Sequence, residues 1–400
     1  MTTATTRPAS DTALAADPLQ LIDVDHVRFY CGNAKQAAFF YATCFGFQIE
    51  QYADLTTGSR DAAHYLLTQG NIRIVLTTGL TKDHPSGSHV QRYGDGVKDV
   101  AFTVFDAAKA YERAVKNGGE SAYAPIELKD DTGTVVMAGV KTYGEVVHSF
   151  VSRHGSYALP NVKQGGAFLP RFARMPSLSV NEANLRSPCG LKYVDHLVGN
   201  VELGRMNHWV AWYENVLEFK LFKHFDDKDI STEYSALMSK VMASGNQLIK
   251  MPINEPAAGK RKSQVQEYLD FTEQVPGVQH LALRTDDELA SIAELRRRGV
   301  DFLSIPQAYY DQVWQRVDAT LRSHGHEPVR EDHERVRQLG ILVDSDDEGY
   351  LLQLFTKPLQ DRPTLFFEII CRRGSQSFGK GNFKALFESL EIEQARRGNL

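Results

Sequence analysis

The sequence contains few cysteines, and their spacing excludes several kinds of site. Only four cysteines occur in 400 residues, and no two of them stand in a CxxC or CxxxC arrangement. A zinc ribbon or a redox-active dithiol needs thiols at such short spacings. Isolated cysteines are most simply interpreted as free thiols in a reducing compartment. We therefore expect a cytoplasmic protein.

Long apolar runs and an excess of charge of one sign are also missing. No stretch approaches the roughly twenty apolar residues of a membrane span, and the first eighteen residues lack the apolar segment of a signal peptide. The formal net charge of −5 is spread over interspersed basic and acidic residues, which gives no electrostatic basis for binding nucleic acid. We therefore expect neither a membrane nor a nucleic acid as a partner. The content of 42% hydrophobic and 24% charged residues is typical of a globular protein, and the length suffices for two domains.

The chain contains an internal repeat. Residues 24–47 begin with VDHV and continue through Gly-Asn and an amphipathic stretch to an aromatic cluster, and residues 194–219 repeat this order from VDHL. A second pair of similar segments, residues 96–102 and 277–283, is followed in each case by a predicted helix. The periodicity of the apolar residues predicts strands, turns and helices in the same order in both halves. The sequence therefore predicts a duplicated domain, each copy built from two similar modules.

This organisation leads to a set of expected boundaries and to a fold. We expect a disordered tail at residues 1–18, an N-terminal domain at 19–160, a linker at 161–189 and a second domain at 190–400. Paired modules of this kind resemble the vicinal oxygen chelate, or glyoxalase-like, family. The resemblance implies an α+β fold in which the two βαβββ modules of each domain curl their sheets into a half-closed barrel around one metal.

Three residues of the second domain are candidate metal ligands. His196 and His280 lie in strand-like segments at corresponding starts of two repeated modules, and Glu368 lies in the apolar run TLFFEII. Burying a carboxylate in such a run costs several kcal/mol unless it is paired or bound to a metal. Two imidazoles and one carboxylate suit a non-haem iron(II) that keeps positions open for substrate and oxygen. We therefore predict one Fe(II) per chain, bound by these three side chains.

Structural interpretations of the same residues stay open at this point. With thirteen histidines in the chain, a histidine in a strand is more often a structural residue than a ligand. Glu368 could instead form an ion pair with Arg372 or Arg373. The first domain repeats only part of the pattern, since Asp99 stands where His280 would be. We therefore expect no metal there, and we expect His26 to be a locally hydrogen-bonded residue at a strand edge.

Several long stretches identify a closer resemblance, to the 4-hydroxyphenylpyruvate dioxygenase family, and it extends from about Leu21 over nearly the whole chain. The matching stretches are residues 194–200, 234–241, 252–256, 262–264, 277–283, 349–358, 361–370 and 378–383. The resemblance implies that Fe(II) is bound by the three ligands and that 4-hydroxyphenylpyruvate and O2 are converted to homogentisate and CO2. The steps implied are oxidative decarboxylation, ring hydroxylation and side-chain migration, in the catabolism of tyrosine and phenylalanine. Because that substrate is itself an α-keto acid, no separate 2-oxoglutarate is expected.

The resemblance also implies a substrate pocket. The expected substrate-binding residues are Ser239, Pro252, Asn254, Gln264, Gln279, Gln353, Phe355, Phe366, Phe378, Asn382 and Phe383. Four of them, Ser239, Asn254, Gln264 and Phe366, are expected to be catalytic. Uncharged hydrogen-bonding groups suit a phenol that must be oriented without becoming a trapped ion. A buried amide in an apolar strand, as at Gln353, by itself indicates a specific partner.

The last segment is expected to form a helix that covers the site. Asn382 is a candidate N-cap, and the apolar residues after it recur at the spacing of one helix face. The simplest interpretation is a terminal helix packed on the barrel. The resemblance implies a lid over residues 382–397, with Phe378 and Phe383 closing on the substrate ring. A lid would exclude water from a reactive site.

Other functions and the assembly state remain to be decided. 4-Hydroxymandelate synthase uses the same iron and substrate but hydroxylates the benzylic carbon; the presence of Pro252, Asn254 and Phe366 favours the ring-hydroxylating enzyme. A glyoxalase-like isomerase or an extradiol dioxygenase is a more distant alternative. A non-catalytic binding module of the same fold would not need a buried carboxylate beside two histidines. We expect a homo-oligomer, either a dimer or a tetramer.

Overall fold

A computed structural model describes residues 17–225, 236–257 and 262–398. Most of the predicted tail, residues 1–16, lies outside the described residues, as does the start of the resembling stretch 234–241. The predicted second domain extends to residue 400, and its last two residues are also outside. The described residues form two mixed sheets that follow each other along the chain.

The first sheet contains nine strands, in the spatial order β6-β7-β8-β5-β1-β4-β3-β2-β9. They are β1 (Leu21–Tyr30), β2 (Gln48–Ala53), β3 (Ala62–Gln69), β4 (Ile72–Gly79), β5 (Gly96–Val104), β6 (Ser121–Asp130), β7 (Gly133–Lys141), β8 (Val147–Gly155) and β9 (Ala173–Arg174). The second sheet contains eight strands, in the order β11-β12-β13-β10-β14-β17-β16-β15. They are β10 (Leu191–Asn200), β11 (Lys220–Phe225), β12 (Ala236–Ala243), β13 (Lys250–Ala257), β14 (Gly277–Thr285), β15 (Leu342–Asp346), β16 (Gly349–Phe355) and β17 (Phe366–Arg373).

Helices connect these strands and pack on the sheets. The α-helices of the described residues are α1 (Ala34–Phe45), α2 (Pro85–Tyr93), α3 (Ala107–Lys116), α4 (Leu159–Lys163), α5 (Ser179–Arg186), α6 (Met206–Val216), α7 (Gln264–Asp270), α8 (Glu288–Arg297), α9 (Val313–Ser323), α10 (His333–Leu339) and α11 (Phe383–Arg396). Short 3-10 turns occur at Leu55–Thr57, Gln307–Tyr309 and Lys380–Asn382. Within the described ranges, none of the helices combines the length and the apolar character needed to cross a bilayer.

The strand pairing is the same in both halves. In each module the first strand pairs in parallel with the fourth: β1 with β4, β5 with β8, β10 with β13 and β14 with β17. The two modules of one half meet through antiparallel first strands, β1 with β5 and β10 with β14. A parallel return needs a crossover connection, which the helix of each module provides. This arrangement confirms the predicted duplicated fold of βαβββ modules.

Local sequence signals explain why equivalent helices form. The helices that follow β5 and β14 have Asp106 and Asp287 as their N-cap residues. The two carboxylates accept hydrogen bonds from the backbone N–H groups of Lys109 and Ala290. Helix α1 ends at Gly46, which has φ +74° and lies so close to Cys189 that a Cβ would be 2.8 Å from its sulfur. Glycine is therefore required there by both the backbone conformation and the close approach.

The segment between the two sheets, predicted as a linker at 161–189, packs against the first sheet. It contains α5, and its strand β9 pairs with β2. The amide of Asn184 donates to the carbonyl oxygens of Ala42 and Phe47, at 2.9 Å each. The predicted boundaries of the domains stay a prediction. The two halves share a core, in which the rings of Tyr41 and Phe45 pack against Phe367.

Candidate metal centre

His196, His280 and Glu368 converge at one point of the second sheet. They lie on three neighbouring strands, β10, β14 and β17. The Nε2 atoms of His196 and His280 lie 3.1 and 3.4 Å from Oε2 of Glu368. The three possible ligand atoms all lie within 4.8 Å of one another, and all three residues are buried. Among the described residues, this is the group of His, Cys, Asp and Glu side chains with the geometry to hold a metal ion.

The other nitrogen of each imidazole has a fixed partner. Nδ1 of His196 lies 2.9 Å from the carboxylate of Asp195, and Nδ1 of His280 lies 2.7 Å from the amide oxygen of Gln279. Both partners are acceptors, so each Nδ1 carries the proton and donates it. Each Nε2 then presents a lone pair toward Glu368. A metal-bound imidazole in proteins is oriented in this way.

An arginine holds Asp195 in place. The guanidinium of Arg372 donates to both carboxylate oxygens of Asp195, at 2.9 and 2.7 Å. Burial raises the pKa of Asp195, but Arg372 and His196 lower it well below its ordinary value, so Asp195 stays charged. Arg373 pairs with Glu331 at 3.1 Å. Within the described part of the chain, the two arginines considered as partners of Glu368 therefore pair elsewhere.

The electrostatics of the cluster favour a bound cation. Burial raises the pKa of Glu368, but His196 and His280 outweigh it and bring the value to about 2. Burial lowers the pKa of His280, although Glu368 acts in the opposite direction. Burial also lowers the pKa of His196, but Glu368 and Asp195 raise it above its ordinary value. The repulsion between a charged carboxylate and two Nε2 lone pairs can be removed by one shared proton or by one divalent cation. The donor set of two nitrogens and one oxygen fits such a metal.

In the first half, the described residues form no corresponding group. His26 corresponds to His196 in the repeat, and its Nδ1 lies 2.8 Å from Asp25. The hydrogen bond is local, as expected, but the predicted position at a strand edge is wrong, because β1 lies between β5 and β4 and His26 is completely buried. In the register of β5 and β8, Ser149 occupies the place of Glu368. Its hydroxyl donates to Asp99 at 2.6 Å.

A small cavity lies against the three metal-site residues, with a volume of about 90 Å³. Nine of the eleven predicted substrate-binding residues line it: Ser239, Pro252, Asn254, Gln264, Gln279, Phe355, Phe366, Phe378 and Phe383. Six further residues complete the lining: Val198, Leu237, Val241, Leu386, Phe387 and Leu390. We did not predict these six as site residues. The last three lie on the apolar face of the predicted terminal helix, and that face could have indicated that they line the cavity.

The polar part of the wall consists of two pairs of side chains. Ser239 and Asn254 are directly opposite each other on β12 and β13. The amide N–H of Gln279 donates to the amide oxygen of Gln264, while the amide oxygen of Gln279 accepts from His280. This chain fixes which way the amide of Gln279 points, and it links the start of α7 to a ligand imidazole.

The apolar part of the wall consists mainly of phenylalanine rings. The ring of Phe366 stacks on the imidazole of His280, with centroids 4.7 Å apart and an angle of 20°. Phe355 meets His280 edge-on at 6.2 Å, and Phe378 meets His196 edge-on at 5.0 Å. These contacts hold both imidazoles from the side and make most of the cavity surface apolar.

Gln353 and Asn382 do not line the cavity. The amide of Gln353 is buried without a hydrogen-bond partner among the described residues, and it lies where a Cβ on Gly379 would collide with it. Asn382 precedes α11 but makes no side-chain capping bond. Its amide oxygen instead accepts a hydrogen bond from the hydroxyl of Tyr309 at 2.7 Å. The expectation that Asn382 caps the helix through its side chain is therefore wrong: its backbone has helical dihedral angles (φ −96°, ψ −14°) instead of the extended ones typical of an N-cap.

Comparisons with known proteins agree with this geometry. Residues 23–140 and 194–354 match the family model of the Glyoxalase/Bleomycin resistance protein/Dioxygenase superfamily. A 4-hydroxyphenylpyruvate dioxygenase from Tetrahymena thermophila is 46% identical over 386 residues, which are 95% of this chain and 92% of that protein. One from Yarrowia lipolytica is 46% identical over 380 residues, 94% of this chain and 93% of that protein. Among solved structures, a mutant of 4-hydroxymandelate synthase from Streptomyces coelicolor matches with a TM-score of 0.78 at 29% identity, covering 94% of this chain and 99% of that one.

Proposed function

The chain belongs to the 4-hydroxyphenylpyruvate dioxygenase family, and we propose that it converts 4-hydroxyphenylpyruvate and O2 to homogentisate and CO2. One observation carries the proposal. A buried cluster of His196, His280 and Glu368 faces a cavity of aromatic rings and uncharged polar groups, in a chain 46% identical to dioxygenases of that name.

The proposed metal is Fe(II), one per chain. His196, His280 and Glu368 would hold the ion, and Fe(II) would supply the redox chemistry for the reaction of a keto acid with O2 when it is bound. Asp195 and Gln279 contribute by holding the Nδ1 protons of the two imidazoles, which keeps both Nε2 lone pairs directed at one point. No additional keto acid is needed, since the substrate carries its own.

The polar group of the cavity would orient the substrate. Ser239, Asn254 and Gln264 offer a hydroxyl and two amides, which can accept from and donate to a phenol without a charge. Phe366 would flank the substrate ring, because it lies two residues before Glu368 on β17 and lines the cavity beside His280. A ring held between the polar group and this wall would present a defined carbon to the metal.

Helix α11 would act as a lid. Phe383, Leu386, Phe387 and Leu390 form one wall of the cavity. A volume of about 90 Å³ is well below the roughly 300–1,000 Å³ of pockets that hold drug-sized ligands. An aromatic keto acid needs more space than this, which movement of the helix would provide, and its return would exclude water during the reaction.

A second candidate function is that of 4-hydroxymandelate synthase, because a mutant of that enzyme has a similar fold at 29% identity. The higher identity to the dioxygenases, 42% over 413 residues even for the relative from Coccidioides posadasii, favours ring hydroxylation. A non-catalytic binding module is disfavoured by the buried carboxylate between two imidazoles, which such a module would not need. Homo-oligomerisation and a cytoplasmic location stay predictions from the sequence.

Product identification tests the proposal. The protein is stripped of metal, loaded with Fe(II) without oxygen, and then given 4-hydroxyphenylpyruvate and O2, with products identified by mass and retention against standards. We expect homogentisate and one CO2 per O2 consumed, and no turnover in a matched zinc-loaded sample. Hydroxymandelate as the main product would establish the alternative, and absence of oxygen uptake with full iron loading would refute an oxygenase.

A further inference from the structure

The first half of the molecule has an open cavity of its own, with a volume of about 1130 Å³. It is built on the strands that correspond to the walls of the catalytic cavity. His64 and Thr77 are opposite each other on β3 and β4, as Ser239 and Asn254 are on β12 and β13. Duplication has therefore preserved a binding-site framework in a domain without the metal-site residues.

Two cationic side chains line this cavity at positions that are uncharged in the second half. Arg28 occupies the position of the apolar Val198, since these residues are the register partners of Asp99 and His280. Lys98, which is next to Asp99 on β5, has no register partner on β1. Gln279 on β14 likewise has no register partner on β10. Such a bulge turns an additional side chain toward the site, and both Arg28 and Lys98 line the cavity.

Neither cation is neutralised by an ion pair in the described part of the chain. Nη1 of Arg28 donates to the hydroxyl of Thr77 at 3.3 Å, and Nζ of Lys98 donates to the backbone carbonyl of Glu145. Both side chains are partly buried. Burying part of a cation without an ion-pair partner costs free energy and is unusual in proteins, and a bound anion would reduce this cost.

The carboxylates nearest to these cations are occupied by other groups. Asp99 accepts hydrogen bonds from the hydroxyl and the backbone N–H of Ser149, at 2.6 and 3.2 Å. Glu145 is bound by Arg92 at 2.9 Å and faces His89 at 3.4 Å. Around the rest of the wall, the carboxylates of Asp61 and Glu127 are matched in number by two cations, Lys129 and Arg171, while Lys141 is bound to Glu120. Asp99 therefore acts on both cations, and Glu145 on Lys98, only through space, and neither carboxylate forms an ion pair with Arg28 or Lys98 among the described residues.

Aromatic rings surround the same space. Lys98 lies over the ring of Tyr30, 6.0 Å from its centroid. Phe172 stacks on His64 at 6.0 Å. Tyr123 lies where a side chain at Gly139 would be, and its hydroxyl lies 2.6 Å from the hydroxyl of Ser149. The cavity therefore combines a cationic base with flat apolar walls.

We propose that this cavity is a second ligand site, which binds a small aromatic carboxylate without metal. The planar fork of Arg28 matches the two oxygens of a carboxylate, Lys98 adds a second donor, and Tyr30, Tyr123 and Phe172 contact the ring. The site does not depend on the reaction of the second half.

A titration with 4-hydroxyphenylacetate tests this site, because that acid has no keto group with which to chelate a metal. Calorimetry on the full-length, metal-loaded protein should show saturable binding. Arg28→Met should weaken it at least tenfold, and Arg28→Lys should weaken it less, because the charge is kept and the fork is lost. Lys109→Met is the matched control: Lys109 is an exposed lysine outside this cavity, and its loss should leave the affinity unchanged.

Several outcomes would overturn the proposal. Equal affinity of Arg28→Met and the parent would exclude Arg28 as the anchor. Acetate binding as tightly as the aromatic acid would refute the aromatic class. Loss of binding in Phe366→Ile, which alters only the catalytic cavity, would move the ligand to the second half. Should Arg28→Met unfold, as judged by circular dichroism, Lys98→Met decides the question, with a loss of affinity expected.

Discussion

Each repeated histidine is preceded by an aspartate that binds its Nδ1, and the two aspartates allow a matched test of how the metal centre is supported. Asp195 accepts from Nδ1 of His196 and binds Arg372 through both oxygens. Asp25 does the same with His26 and Arg153, at 2.8, 2.9 and 2.9 Å. Even the ring beside each pair is repeated, Phe378 under Arg372 and Phe168 under Arg153. The two units differ in two respects: His196 faces the metal site, and Asp25 also accepts a hydrogen bond from the hydroxyl of Thr103 at 3.1 Å.

We predict that Asp195→Asn and Asp25→Asn have similar effects on stability and different effects on metal binding. Each substitution leaves a buried arginine without its counter-charge, because Asp195 and Asp25 are 1% and 0% exposed. Breaking a buried ion pair by removing one partner costs about 3–5 kcal/mol. Loss of a group that orients a metal-bound imidazole lowers metal affinity about 10–100-fold. That second loss should occur in Asp195→Asn alone.

Two measurements separate these effects. Denaturant unfolding of the metal-free proteins gives the stability of each variant, and anaerobic competition with a chromophoric chelator gives the Fe(II) affinity. Equal loss of metal affinity in both variants would mean that the effect comes from general destabilisation. Full metal affinity in Asp195→Asn would refute the argument that the charge of Asp195 supports metal binding by His196, since an amide oxygen can still accept from Nδ1, as that of Gln279 does from His280.

Three further predictions follow from the site. His280→Ala should reduce bound Fe(II) and turnover to background, as measured by metal analysis and oxygen uptake; retained metal would mean that the ligand set is wrong. Phe366→Ile should keep its metal but form hydroxymandelate beside less homogentisate, because a rigid wall of the cavity is lost; unchanged products at the parent rate would make Phe366 a core residue only. In the metal-free protein, the pKa of Glu368 lies near 2 instead of its ordinary 4.5, so the stability that its charge contributes is present above about pH 4.5 and is lost as the pH falls toward 2. Unfolding free energies should therefore fall more steeply between pH 5 and pH 3 in the parent than in Glu368→Gln, and parallel curves would contradict the shift.

Some features of the site were visible in the sequence because they are chemical anomalies. A carboxylate in TLFFEII stands out in any one-dimensional reading, since an unpaired charge in an apolar strand is costly. The repeated VDH letters identified His196 and also contained Asp195, whose role we did not predict. That role depends on Arg372, which is 177 positions away in the chain. Two residues so distant are joined only by the pairing of strands.

The terminal helix illustrates the same division. Its existence and its apolar face follow from local periodicity, which depends on residues three and four apart. The partner of Asn382 does not, because Tyr309, whose hydroxyl binds the amide oxygen of Asn382, is 73 positions away in the chain.

The amino-acid sequence alone was enough to predict the duplication, the module pattern and the three candidate metal ligands. Periodicity and the cost of buried charge are properties of short segments, so they can be read without coordinates. Which polar side chains face the cavity was decided by the tertiary structure. Gln279 and His280 are neighbours on a strand and would ordinarily point to opposite faces, but the register between β10 and β14 skips Gln279 and turns both toward the cavity. Gln353 lies in a regularly paired strand and is buried outside the cavity. Both the skipped residue at Gln279 and the regular pairing at Gln353 depend on how distant strands pair, and no local pattern encodes that pairing.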